Sequence, residues 1–235
     1  VLVMGLAVVV LLVLLLTRLG RSHRRERAMQ QLLDARSAEL AEARAALADA
    51  NRRLEDLVVK DELTDLYNRR HFERLLDSEW RRAIRSGRPV ALIALEVDDF
   101  AQLVATYSRQ VGDECLTKVA TAIVVAHRAG DLLAYLGGAT FGAVLPETDL
   151  VGALLLAERM RTRVANLGIR NAASSVNRYV TVSAGVATTA PALGSSSAEL
   201  LAAATHALAA AKAQGRNRVV PASVAPAHDT RDGSS

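Results

Sequence analysis

Two adjacent glycines, Gly137 and Gly138, sit between two apolar runs in Leu132–Pro146, LLAYLGGATFGAVLP. Glycine tolerates positive φ, so this pattern predicts a β-hairpin with a tight two-glycine turn. The residues that follow, Ala139, Thr140 and Phe141, carry no charge. A hairpin tip built to hold metal and phosphate needs acidic groups there, and this tip has none.

The segments around the hairpin alternate. Apolar spacing predicts a helix over Phe72–Ser86, with Phe72, Leu75, Leu76 and Ile84 on one face. Val90–Val97, VALIALEV, reads as a buried strand whose end carries Glu96, Asp98 and Asp99. Helices are expected over Asp113–His127, Asp149–Leu167 and Ser197–Gln214. Strands are expected over Tyr179–Ala187 and Asn217–Val220. Glu147 and Asp149 suit a helix start, where the helix dipole favours negative charge. Helices alternating with strands around one hairpin predict an α/β fold, a central sheet with covering helices, over residues 61–220. The sequence shows no internal repeat.

Ahead of this domain, Val1–Leu16 has no polar side chain. A helix of this run, at about 1.5 Å per residue, falls short of a ~30 Å hydrocarbon core. The chain begins at Val rather than Met, so more of the span is expected upstream of a transmembrane helix over residues 1–17. A signal-peptide core and a buried helix are the alternatives; no basic leader or small-residue cleavage site favours the former. Five arginines, Arg18, Arg21, Arg24, Arg25 and Arg27, follow against Glu26 and account for the net charge of +4. The positive-inside rule then puts the rest of the chain in the cytoplasm, at the inner membrane. The remainder is nearly neutral, so the basic balance gives no argument for nucleic acid.

Residues 18–60 continue as a basic juxtamembrane segment and a coiled coil. Leu33, Leu40, Leu47 and Leu54 recur every seven residues, with Met29, Arg36, Ala43, Ala50 and Leu57 at the paired position. This predicts a homodimer that carries a signal from membrane to domain, or a passive spacer. Residues 221–235 are small, polar and Pro-bearing, and are expected to be disordered. The lone cysteine, Cys115, cannot form an internal disulfide and reads as core filler. His71, His127 and His206 have no ligand spacing, and Ser183 lacks the context of a nucleophile.

Seven landmarks occur in order: DELTDLYNRRHF (Asp61–Phe72), LEVDDF (Leu95–Phe100), VGDECL (Val111–Leu116), RAGD (Arg128–Asp131), YLGGATF (Tyr135–Phe141), VSAGVA (Val182–Ala187) and AKAQGRNRV (Ala211–Val219). Together, over about 160 residues, they resemble the GGDEF domain of diguanylate cyclases. The resemblance implies a nucleotidyl-cyclase-like sheet and the joining of two GTP molecules into cyclic di-GMP between facing domains. That chemistry needs divalent metal, of which magnesium is the family's choice, and carboxylates at the strand end and hairpin tip.

Matched residue by residue, Glu96 stands where the family has its first metal Asp and is one methylene longer. Gly137 and Gly138 match the signature glycines, but Ala139 and Thr140 replace its two acidic residues. Val104 replaces an Asn that reads the guanine edge, while Asp113, the other reader, remains. Ala101 replaces a Lys near the phosphates, and Tyr135 replaces an Arg before the glycines. Lys212 and Arg216 match phosphate-contacting positions. Asn68, Arg69 and Arg70 resemble the opening motif, to which a structural role falls. Asp65 stands where the family has Gly or Asp. Asp98 and Asp99 read either as a metal remnant or as a solvated strand end. One well-placed catalytic group contributes about 10²–10⁴-fold, so the resemblance implies a family member without useful cyclase activity and with weakened GTP binding, and with magnesium only if residual GTP binding persists.

The family also has an inhibitory product site, marked by RxxD five residues before the glycines. Arg128 and Asp131 fall in that register, and a further family Arg falls on Arg159. Arginine forks suit phosphates and guanine edges, and a carboxylate accepts from guanine N–H groups. The plain alternative is a salt bridge between Arg128 and Asp131 at a helix end. Three functions follow: a cyclic di-GMP receptor through Arg128, Asp131 and Arg159; a divergent cyclase; or a scaffold that binds no nucleotide and pairs with another GGDEF or phosphodiesterase protein.

Overall fold

The computed structural model describes residues 36–50 and 58–222. The chain divides into two compact units, Val1–Leu57 and Val58–Ser235.

In the first unit, residues 36–50 form one helix, α1. Arg36 Nη1 donates to Glu39 Oε2 one turn on, at 2.7 Å. Leu40 and Leu47, both on the expected coiled-coil seam, are 59% and 62% exposed. Among the described residues no helix is long and apolar enough to cross a membrane. The expected transmembrane run over 1–17, the flanking parts of the expected coiled coil, and residues 223–235 of the expected tail lie outside the described residues.

The second unit is a six-stranded sheet in the order β1-β3-β4-β2-β5-β6. Its strands are β1 (Tyr67–Asn68), β2 (Val90–Val97), β3 (Leu132–Gly137), β4 (Thr140–Pro146), β5 (Val182–Thr189) and β6 (Val219–Pro221). Its helices are α2 (Arg69–Ser86), α3 (Phe100–Thr106), α4 (Arg109–Val124), α5 (Leu150–Ala165) and α6 (Ser197–Ala213). β2 lies between β4 and β5 and is antiparallel to both. Its side chains alternate between two cores, which is why the run is apolar at every position but Glu96, near its end. Ala91, Ile93, Leu95 and Val97 pack with residues of α4 and α5. Val90, Leu92 and Ala94 pack with residues of α2 and α6.

Two glycines let layers approach closely. A Cβ on Gly185 of β5 would stand 2.1 Å from Leu208 N and 2.2 Å from Ala204 O, so α6 rests directly on strand backbone. The Ala204, Ala207 and Ala211 face of α6 is small enough for this approach, and all three are buried. A Cβ on Gly142 of β4 would meet the Phe72 ring at 2.9 Å, so Gly142 makes room for the largest fully buried side chain of α2.

Several boundaries move for local reasons. α2 starts at Arg69 because the Asn68 side chain caps it, accepting from His71 N at 2.9 Å. α4 starts at Arg109, four residues before the expected Asp113, because Ser108 Oγ accepts from Val111 N at 3.3 Å. The short helix α3 and the two-residue β1 carry too little periodicity to be seen in sequence. Tyr179 pairs with Arg170 in an isolated bridge rather than opening β5. The last strand runs to Pro221, and Ala222 N donates to Val186 O at 2.6 Å. Pro221 and Ala222 therefore belong to the sheet edge, where a proline is tolerated, and not to a loose tail.

Candidate functional site

The hairpin forms, with its turn one residue later than the two-glycine reading. Gly137 pairs with Thr140, so Gly138 and Ala139 make the turn. Gly137, at φ 95°, ends β3 just past an irregularity in the ladder, and Gly138 has φ 64°. Both positions need the conformational freedom of glycine. The Tyr135 hydroxyl donates to Gly138 O at 2.8 Å and ties the tip to its own strand. Burial pushes the Tyr135 phenol up, with the Asp61 and Asp113 charges adding to it.

The tip is stitched to the end of β2. Val97 N donates to Ala139 O at 3.0 Å. Glu96 stands directly opposite Thr140 on β4 and Ser183 on β5. Ala139 packs against the α4–α5 core instead of offering a ligand. Glu96 is therefore the only carboxylate among these four residues, and Lys212 Nζ donates to its Oε1 at 2.7 Å.

The neighbouring acids are also engaged. Asp98 is 3% exposed, which overturns the solvated strand end. It accepts from Thr181 Oγ1 at 2.7 Å, Ser183 Oγ at 2.6 Å and Asn217 N at 3.1 Å. Asp99 has φ 51° and accepts from Ser174 Oγ and from Ser175 N and Oγ at 2.8–3.0 Å. Arg216 Nε lies 3.4 Å from Asp99 Oδ1. Burial pushes the Asp99 carboxyl up, but the Ser175 amide and hydroxyl, the Ser174 hydroxyl and Arg216 together hold it below the usual carboxylate range. Arg216 and Asn217 have φ 61° and 46°. Asp98 and Arg161 hold that strained turn, the latter through Nη1 to Asn217 Oδ1 at 2.6 Å.

This donor set does not suit magnesium. The ion favours several hard oxygens around it, and here the single available carboxylate already binds an ammonium. Among the described residues no group of three or more His, Cys, Asp or Glu is placed to hold a metal ion. At the expected base-reading position Val104 packs over Gly112, where a Cβ would stand 2.6 Å from Val104 Cγ2. Asp113, near it on α4, is half-buried.

The second candidate site lies beyond the end of α4. Asp131 Oδ2 accepts from Arg128 N at 2.7 Å, and Asp131 N donates to Arg128 O at 3.1 Å. Gly130, at φ 106°, closes this turn. The alternative of a salt bridge does not hold: Asp131 holds the Arg128 backbone and leaves the guanidinium exposed and without an ion pair among the described residues. Arg159 is likewise exposed on α5, which packs against α4. It makes no hydrogen bond to the Arg128–Asp131 turn. Its neighbour Arg161 is engaged by Glu158, whose carboxyl is held down by that hydrogen bond.

Sequence reasoning missed the Asp98–Thr181–Ser183–Asn217 network and the Arg161–Asn217 link. Both join residues more than fifty positions apart, so no local spacing signals them.

The family model for the diguanylate cyclase GGDEF domain matches residues 58–218. The response regulator PleD of Caulobacter vibrioides is 38% identical over 165 residues, covering 70% of this chain and 36% of PleD. The probable diguanylate cyclase DgcC of Escherichia coli is 31% identical over 172 residues, covering 73% of this chain and 45% of DgcC. The chain thus spans less than half the length of these curated relatives. The crystal structure of the coiled coil and GGDEF domain of DgcB from Caulobacter crescentus, in complex with c-di-GMP, has a TM-score of 0.64 at 30% identity. It covers 79% of this chain and 98% of the DgcB chain. Sequence landmarks, sheet and these relatives agree: the chain belongs to the diguanylate cyclase GGDEF domain family of cyclic di-GMP signalling.

Proposed function

We propose that this chain is a membrane-anchored, dimeric receptor for cyclic di-GMP that has no useful cyclase activity. The observation that carries the reading is the contrast between its two sites. Glu96 faces Thr140 and is held by Lys212, whereas Arg128 and Arg159 present exposed guanidiniums without an ion pair among the described residues. Phosphoryl transfer rests on metal and positioned charge, and the carboxylates that supply them are replaced by Ala139 and Thr140. Arginine forks match phosphate oxygens and the O6/N7 edge of guanine, and both belong to a cyclic guanine dinucleotide.

The related DgcB structure supports the same reading, since it holds c-di-GMP and includes a coiled coil. Leu40 and Leu47, exposed on α1, are the surfaces that a second copy covers in the dimer. Residues 1–17 form the anchor, which leaves the GGDEF domain in the cytoplasm.

The test is to incubate the full chain with GTP and magnesium and, separately, to titrate it with cyclic di-GMP. The account expects saturable binding of the dinucleotide and no dinucleotide made from GTP. Metal-dependent turnover by a verified dimer supports the divergent cyclase instead. Absence of both, with a stable complex of another GGDEF or phosphodiesterase protein, supports the scaffold.

A further inference from the structure

We infer that the groove between α4 and α5 is a second ligand site, for a flat aromatic anion of mononucleotide size. It uses none of Arg128, Asp131 and Arg159, and it does not depend on the receptor reading.

The groove has a volume of about 470 Å³ and is lined by Lys118 and Ala122 of α4 with Val125 just past its end, and by Arg163 of α5 with Asn166 and Leu167 just past its end. That volume lies in the range of small-molecule sites, roughly 300–1,000 Å³. Its floor is apolar and open: Val125 is 60% exposed and Leu167 39%. Large apolar side chains left this exposed side by side mark a surface meant to be covered.

The two walls carry charge of one sign. Lys118 stands on α4 and Arg163 on α5, both exposed, and neither has an ion pair among the described residues. No carboxylate lines the groove. An apolar floor between two cations favours a ligand with a flat apolar face and a negative group. Arg163 adds the capacity to stack on a ring. Asn166 contributes a side-chain amide, with one donor side and one acceptor side for ring heteroatoms. The lining on the α4 side runs only from Lys118 to Val125, the residue that caps α4, about 10 Å along the chain axis. That length suits a nucleotide, and the paired cations on the two walls favour an anionic ring over an uncharged apolar segment.

The test is equilibrium dialysis of the full chain, in lipid nanodiscs, against labelled guanosine monophosphate. Guanosine and inorganic phosphate serve as the ring-only and charge-only probes. The double variant Lys118→Gln, Arg163→Gln changes two exposed side chains and leaves the fold intact, which circular dichroism verifies. The expected result is saturable binding that weakens about ten-fold in the double variant, as two charge-assisted contacts predict. The same binding is expected to persist in Arg128→Ala and in Lys212→Ala, and to be about ten-fold weaker for guanosine and for phosphate alone. Binding unchanged by the double variant overturns the proposal, as does binding lost in Arg128→Ala or Lys212→Ala. Equal affinity for inorganic phosphate also overturns it, and so does the absence of saturable nucleotide binding, with or without binding of an acidic amphipathic peptide.

Discussion

Lys212 Nζ donates to Glu96 Oε1 at 2.7 Å, across the end of the central strand. Beside this pair, Arg216 leans on Asp99 at 3.4 Å. The two cations that the family resemblance assigns to phosphate are thus countered from within the chain. The extra methylene of Glu96 extends the carboxylate toward Lys212.

Removing that counter-charge is expected to uncover the cation. Glu96→Gln should tighten GTP binding by about two- to ten-fold, in line with the ~1 kcal/mol scale of a partly exposed pair. Calorimetry with GTP reads this directly. The variant is not expected to make dinucleotide, because Ala139 and Thr140 are unchanged. Equal affinity in the two proteins argues against masking by Glu96.

Asp98 is expected to be structural. Asp98→Ala leaves the Thr181 and Ser183 hydroxyls and the Asn217 amide without their acceptor. Two buried hydroxyls and a half-buried amide left without an acceptor cost about 1–3 kcal/mol each, so about 3 kcal/mol in all. Urea unfolding checks it, and a shift below about 1 kcal/mol contradicts the role.

Stability should fall at acid pH through Asp99. Its carboxyl is held below the usual range in the folded chain, with the opposing push of burial overcome by the serine bonds and Arg216. A depressed folded value contributes stability above the unfolded pKa of about 3.9, and this is lost as pH falls through the folded value. Urea midpoints taken from pH 6 downward should drop below roughly pH 5. Asp99→Asn should start lower and show a shallower fall. An identical pH profile in the variant contradicts the assignment.

Cys115 is expected to be inert. It is 1% exposed, and burial pushes its thiol up to about 11 despite the nearby Lys118 charge. At neutral pH a thiol reagent should label it only after unfolding, since the thiolate is the reactive form. Fast labelling of the folded chain contradicts the packing.

The sheet was legible where the sequence has long apolar runs or a helical period. Val90–Leu95 and the arm Phe141–Leu145 needed no tertiary information, because a strand buried on both faces reads as a continuous apolar run. The turn itself was misread by one residue. Two glycines look like one turn, but Gly137 serves the twist at the end of β3 and Gly138 opens the turn with Ala139. α3 was invisible because seven residues hold two turns and one buried anchor, Leu103. The Arg128–Asp131 register was visible, but its geometry was not. An RxxD string does not reveal that the carboxylate takes the Arg128 backbone amide and leaves the side chain outside. The fate of Glu96 was equally hidden, since Lys212 lies more than a hundred residues away and meets it only when α6 settles on β5.

The central claim is that this chain binds cyclic di-GMP through Arg128 and Arg159. The most direct measurement is a calorimetric titration of the full chain with cyclic di-GMP, beside Arg128→Ala and Arg159→Ala. The account predicts saturable binding that weakens at least about ten-fold in each variant, the scale of a lost charge-assisted contact in a binding site. Absence of binding, or binding that both variants keep, would contradict it.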